Sequence, residues 1–322
     1  MYGGIRVLPT LPSVKNDDND DLDADENVAE PASSMKKVKL GKKIETGRFT
    51  NSARLTSSFS TESQFSRKGK SRPSCVQMAP NGDFIIVDCA DKLVRAFNRM
   101  GQARLEIGQG CLKKPWNVTV IDNNYYAVSD PGANSIKIFD VRQPQKIVRT
   151  IDFGPTILEP FGLCMNKSHT DLIVTDKGTG RIYIFDKDGP VKTSVEPRSR
   201  LTWPQYVALG DEESVLVTDY VDHKVYEYDM KGNEIFAYGS QGSSDEEFLG
   251  PQGLTVDKHG YIFIADSANN RIHALDKNGN FIKHVVTEKD KLDRPQSLTI
   301  DRDGYLVIAE YGGFIKLFEY LN

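Results

Sequence analysis

The sequence predicts an all-β protein, a six-bladed β-propeller, and three observations carry that prediction. Short apolar-alternating runs recur along the chain, separated by turns built on Gly, Asn and Asp. A period of two, bounded by residues that tolerate positive φ, is the pattern of consecutive antiparallel strands. A proline opens each of six copies, at Pro73, Pro115, Pro160, Pro204, Pro251 and Pro295, with intervals of 42, 45, 44, 47 and 44 residues. An acid closes the second run of each copy, at Asp88, Asp130, Asp176, Asp219, Asp266 and Glu310. A four-stranded meander cannot bury both its faces alone, and a period of about 40–50 residues stacks such meanders side by side in a ring.

In chain order, residues 1–44 stand outside the repeat. Eight acids and no base lie between Asn16 and Glu30, in a stretch without an aromatic residue. Such composition cannot bury enough apolar surface to offset ordering entropy, so a disordered acidic tail is expected. A basic run, Lys36-Lys-Val-Lys-Leu-Gly-Lys-Lys43, follows and reads as a solvated linker, a nuclear-import tag or an electrostatic tether. The net charge of −4 falls on 41 bases and 45 acids, so without the eight tail acids the remainder carries about +4. Residues 45–322 are assigned to the propeller. The sixth copy reaches Asn322 after only three strands, which would leave a blade edge open. Ser52–Thr61, with Leu55 and Phe59, is expected to supply the missing outer strand and close the ring.

The copies share further positions. Nine residues past each Asp stands a large side chain, Phe97, Phe139, Phe185, Tyr228 and Leu275, with Phe318 eight past Glu310. The fifth copy, Pro251 to Asp276, reads PQGLTVDKHGYIFIADSANNRIHALD. Its Pro-x-Gly-Leu-x-Val-Asp, Gly-Tyr-Ile-x-Ile-Ala-Asp and Asn-Asn-Arg-Ile segments resemble an NHL repeat. Copies three and four keep the acid and a base five places on, Asp176/Arg181 and Asp219/Lys224, whereas copies one and two place Leu93 and Ser135 there. The resemblance spans residues from about 45 to 322. It implies the propeller fold and a likeness to the C-terminal domain of tripartite-motif (TRIM-NHL) proteins. Members of that group bind mRNA through one propeller face and repress or destabilise it; others recruit proteins for ubiquitination. The RING, B-box and coiled coil of the group have no Cys/His zinc pattern or heptad run to match them here, so the chain reads as a fragment or a shortened relative.

Alternating strand direction places the loop before each first strand and the loop after each second strand on one face. The first loop set supplies Arg72, with Arg67, Lys68 and Lys70 before it, then Lys113, Lys114, Trp116, Phe161, Arg200, Trp203 and Arg294. The second supplies Lys92, Lys177, Arg181, Tyr220, His223, Lys224, Arg271 and Tyr311. Cations interleaved with aromatic rings suit single-stranded nucleic acid, because cations neutralise phosphates while rings stack on bases at about 1–3 kcal/mol each. The expected partner is single-stranded or stem-loop RNA, or alternatively a protein held on the same face. The closing acids are expected to cap their own loops or pair with a nearby base.

Other function classes find little support. No run of 18 apolar residues is present, so no membrane-spanning helix is expected. The opening MYGGIRVLPTLP lacks the long apolar segment of a secretory signal. Cys75, Cys89, Cys111 and Cys164 have no metal-binding spacing and read as reduced thiols of a cytoplasmic protein. Of the five histidines only His223 falls on the candidate face; His169 and His259 are in first turns, His273 in a third strand and His284 in an outer one, so a three-His axial metal is not assembled. No nucleophile elbow or phosphate loop occurs. The expectation is a non-catalytic, monomeric binding propeller without cofactor or metal.

Overall fold

A computed structural model describes residues 49–62, 71–154, 157–188, 191–197, 200–210 and 214–321. The expectations for residues 1–44 and for 67–70 lie outside the described residues. Twenty-four strands among them form six four-stranded antiparallel sheets. The first strand in the chain, β1 (Phe49–Ser60), belongs to the last sheet. Blade 1 holds β2–β5 (Pro73–Met78, Phe84–Asp88, Leu93–Phe97, Ala103–Ile107), and blade 2 holds β6–β9 (Asn117–Val120, Tyr125–Asp130, Ser135–Asp140, Ile147–Asp152). Blade 3 holds β10–β13 (Pro160–Met165, Asp171–Asp176, Arg181–Asp186, Val191–Val195), and blade 4 holds β14–β17 (Pro204–Leu209, Val215–Asp219, Lys224–Tyr228, Glu234–Tyr238). Blade 5 holds β18–β21 (Pro251–Val256, Ile262–Asp266, Arg271–Leu275, Phe281–Val286). Blade 6 holds β22–β24 (Pro295–Ile300, Leu306–Glu310, Phe314–Leu321) with β1 as its outer strand. The fold is the six-bladed propeller that the repeats predict.

Its stability lies between blades. Each pair of neighbouring sheets encloses an apolar cluster, as when Val87 and Val94 of blade 1 pack with Val118 and Phe139 of blade 2. The large side chains following the acids, Phe97, Phe139, Phe185, Tyr228, Leu275 and Phe318, are all buried in these clusters. First strands crowd the axis. A Cβ on Gly162 would lie 2.8 Å from Tyr206 Cα, and one on Gly253 would lie 2.6 Å from Ser297 Cα. Blade 4 places Tyr206 where blades 3 and 5 place those glycines, and its hydroxyl donates across the ring to Ser74 O at 2.5 Å.

The outer strand β1 pairs antiparallel with β24, from Phe49 opposite Leu321 to Ser60 opposite Phe314, with two register shifts. Its ends reach the neighbouring blades. Phe49 lies 4.7 Å from the Tyr261 ring of blade 5, and Phe59 stacks on Phe84 and Phe97 of blade 1 at 6.2 and 5.6 Å. Beyond the strand, buried Thr61 binds Gly313 O and the Ser71 hydroxyl, which in turn donates to Asp88 at 2.7 Å. The predicted closing segment thus joins first blade to last.

Blade 5 carries an imidazole pair, His273 buried and His284 half-buried. His273 is enclosed between Phe248 and His284, with Nε2 3.3 Å from Asp266 and Nδ1 3.3 Å from Tyr238 Oη. Burial lowers its pKa despite the pull of Asp266, and burial together with His273 and Arg271 lowers that of His284 to about 4. An unfolded imidazole titrates near 6.5, so below that pH the unfolded chain binds more protons than the folded one. For His284 the contribution is complete above about pH 6.5 and is lost as pH falls toward 4, about 2 kcal/mol of it by pH 5, and His273 acts in the same direction. Melting temperature should therefore fall between pH 7.5 and pH 5, and His284→Gln should flatten that fall. Equal pH slopes in parent and variant would contradict the assignment.

Candidate nucleic-acid interface

The six closing acids build the face rather than line a ligand site. Each is buried and accepts backbone N–H groups from the loop entering its own blade. Asp130 takes the amides of Lys113 and Lys114 at 2.9 and 2.7 Å, and Asp176 takes that of Glu159 at 2.6 Å. Asp219 takes those of Thr202 and Trp203, Asp266 that of Leu249, and Glu310 that of Asp293. Burial raises Asp219 although these amides partly offset it, and burial raises Glu310 likewise. The carboxylates of Asp88, Asp176, Asp219 and Asp266 also hold the loop that follows, so in those blades both loops are fixed at the base of one face.

The expected ion pair with a base five residues on holds only for Asp266–Arg271, at 2.8 Å. In blades 1 and 2 the partner stands seven residues on. Lys137 Nζ meets Asp130 at 2.6 Å, and Arg95 meets Asp88, Asp91 and Glu106 at 2.6, 2.5 and 2.9 Å. Arg181 instead pairs with Glu196 at 3.4 Å, and Lys224 lies over the Tyr226 ring at 6.0 Å.

Above this scaffold the aromatic residues form a connected arc. Trp116 lies 5.2 Å from Phe161 and 6.1 Å from Tyr206; Phe161 lies 6.3 Å from Trp203; Trp203 lies 5.5 Å from Tyr220. Lys177 Nζ sits 3.7 Å from the centre of the Trp203 ring and forms an ion pair with Glu159 at 3.2 Å. The indole nitrogens of Trp116 and Trp203 are buried and have no hydrogen-bond partner in the structure. Tyr220 rests on Gly250, whose φ of +68° and 2.7 Å clearance to that ring leave no room for a Cβ. His223 Nδ1 accepts the Gly250 amide at 3.0 Å. Lys113, Lys114 and Arg200 are exposed along the arc, with Arg200 also donating to Gly178 O at 2.6 Å.

A second group lies where blades 6 and 1 meet: Arg72 and Arg294 are exposed, and both guanidinium groups lie over the Tyr311 ring. Cys89 lies beside Arg72. Its thiol donates to Arg72 O at 3.1 Å; burial and then Asp88 push it up to about 11, while Arg72 and Lys114 act in the opposite sense.

Two predicted residues are corrected. Arg271 is buried and spends its guanidinium on Asp266 and on the carbonyls of Ser243, Ser244 and Glu247 at 2.7–2.8 Å. Phe161 is 3% exposed and supports the indoles from below. Three features escape sequence reading. Lys177 covers Trp203; Tyr206 fills the axis beside Trp116; and exposed Asp245 and Glu246 join exposed Val221 and Leu249 to make the blade 4–5 sector acidic and apolar. A Tyr in the place of the Pro-x-Gly glycine is the signal for the second.

A family model for the NHL repeat matches residues 248–281, which contain the fifth copy's motif. The chain is an NHL-repeat propeller, resembling the C-terminal domains of TRIM-NHL proteins. It is similar to the Drosophila melanogaster protein brain tumor, 29% identical over 150 residues, 43% of this chain and 14% of that one. It is also similar to Caenorhabditis elegans lin-41, 46% identical over 48 residues, 15% of this chain and 4% of the relative. With the E3 ubiquitin-protein ligase TRIM71 of Gallus gallus it shares 47% over 45 residues, 14% of this chain and 5% of the ligase. The NHL propeller thus matches only a small part of each relative's length. A streptogramin B lyase structure superposes with a TM-score of 0.62 at 12% identity, covering 82% of this chain and 97% of that one. Virginiamycin B lyase from Staphylococcus aureus gives 0.61 at 15%, covering 83% and 88%. At such identities the shared feature is the propeller fold. No helix among the described residues is long and apolar enough to cross a membrane, and no group of three or more His, Cys, Asp or Glu among them is placed to hold a metal ion.

Proposed function

We propose that this NHL propeller is a non-catalytic RNA-binding module, acting in the cytoplasm as a post-transcriptional regulator of TRIM-NHL type. The observation that carries the reading is the arc Trp116–Phe161–Trp203–Tyr220, flanked by Lys113, Lys114, Lys177 and Arg200 on one face. Indole and phenol rings offer stacking surfaces that every base can use, and lysine and arginine beside them neutralise phosphates. Lys177 covers Trp203 in the free protein and would move onto phosphate when a base takes its place.

The acidic and apolar blade 4–5 sector favours a second reading, a surface that recruits a protein, including one presented for ubiquitin ligation. Crosslinking the full chain in cells and recovering bound RNA and bound protein separately distinguishes the two. RNA sharing a short motif is the expected product; protein recovered without RNA would replace the first reading with the second.

A further inference from the structure

The two arginines on Tyr311 form an arrangement that the aromatic arc does not explain. Arg72 Cζ stands 5.2 Å and Arg294 Cζ 4.5 Å from the centre of the Tyr311 ring, so the two guanidinium carbons are no more than 9.7 Å apart, the sum of those distances. Among the described residues no carboxylate lies within 4.0 Å of the Arg72 guanidinium, and Arg294 has only its neighbour Asp293, with Nε to Oδ1 at 3.4 Å. Two cations converging on one ring repel each other unless an anion joins them.

The backbone is held so that they converge. Arg294 adopts φ +39°, a left-handed conformation that an arginine rarely takes. Its amide donates to Asn270 Oδ1 at 2.7 Å, and its carbonyl accepts from Tyr311 N at 3.0 Å. Arg72 is fixed in the same way, with its amide on Asp88 at 3.2 Å and its carbonyl taking the amide and thiol of Cys89, both at 3.1 Å. Rigid backbone beneath exposed guanidinium groups is a preorganised cation pair. An oxyanion bound bidentately sits about 4 Å from a guanidinium carbon, and the upper bound of 9.7 Å is compatible with one phosphate held by both.

We propose that Arg72 and Arg294, positioned by Tyr311, form a phosphate clamp that holds one backbone phosphodiester of an RNA strand at the blade 6–1 junction. It rests on the RNA-binding reading and deepens it. The clamp anchors one end of the strand's track, which continues past Lys114 to the aromatic arc.

The test uses the full chain with two probes. Inorganic pyrophosphate is titrated while the arginine Nε–H signals are followed by NMR, and a mixed-sequence single-stranded RNA is titrated by anisotropy at several salt concentrations. Pyrophosphate should shift the Arg72 and Arg294 signals. Arg72→Ala and Arg294→Ala should each weaken RNA binding about tenfold, and the double variant by no more than about twofold further, because both serve one phosphate. The logarithmic salt slope should fall once, by about 0.7. Tyr311→Phe should keep the affinity, and Tyr311→Leu should lose it as the single arginine variants do. RNA binding unchanged in the double variant overturns the clamp and leaves the RNA reading standing. Losses that multiply, with slopes that add, overturn it in favour of two independent contacts. Pyrophosphate binding at both arginines without any RNA binding overturns the RNA reading and points to a phosphorylated protein.

Discussion

A chain shortened to begin at Glu62 is expected to lose its cooperative thermal transition, whereas one lacking only residues 1–40 should melt within about 2 °C of the parent. The longer deletion removes β1, hence the outer strand of blade 6 and the link to both neighbouring blades. Phe49 and Phe59 contribute roughly 1.5–3 kcal/mol each through burial, though partial exposure puts both at the lower end. Thr61 and Ser71 add buried hydrogen bonds worth about 1 kcal/mol apiece, and the β24 backbone loses its partner. The sum is comparable with the whole stability of a typical domain, about 5–15 kcal/mol. Calorimetry of the two truncations decides the matter. Equal melting temperatures would show that β1 does not close the ring.

Arg95→Leu should be the most destabilising single change considered, at about 3–5 kcal/mol, because it removes a buried cation that pairs with three carboxylates. The Arg95 side chain is 1% exposed and serves Asp88, Asp91 and Glu106 at once. Asp88 also holds the Arg72 loop, so the damage reaches the binding face. Arg95→Lys keeps the charge but lacks the planar guanidinium fork that spans the three carboxylates, and should cost less than half as much. Chemical denaturation of the three proteins measures this. A Leu variant as stable as the parent would mean that the cluster relaxes into solvent.

The fold was legible because its signals are local and repeated. Proline, acid and large side chain return at fixed offsets, and each offset states which face of which strand a residue occupies. Even the closing strand could be inferred, since three strands in the last copy demand a fourth. The face was legible at the level of loops, because strand direction alone decides which loops share an end. Individual roles were not. Arg271 and Arg294 both look like loop cations, yet one is spent on Asp266 and three carbonyls while the other is exposed over Tyr311. Only side-chain packing separates them. Arg95 and Lys137 carried a readable clue: each is a charge on the inward side of an apolar strand, LVRAF and SIKIF, where a buried counter-ion is required.

The central claim is that the face with the aromatic arc binds RNA through a defined site, and its most direct measurement is anisotropy of a short-RNA pool with parent, Lys114→Glu, Trp203→Ala and Lys277→Glu proteins across several salt concentrations. Lys114→Glu should weaken every RNA similarly and lower the salt slope by about 0.7 for the lost phosphate contact. Trp203→Ala should cost about 1–3 kcal/mol with the slope nearly kept, because stacking releases no counterions. Lys277, exposed in the turn between β20 and β21 on the opposite face, should tolerate reversal without effect. Equal losses for Lys277→Glu and Lys114→Glu, or no RNA binding by the parent near physiological salt, would contradict the claim.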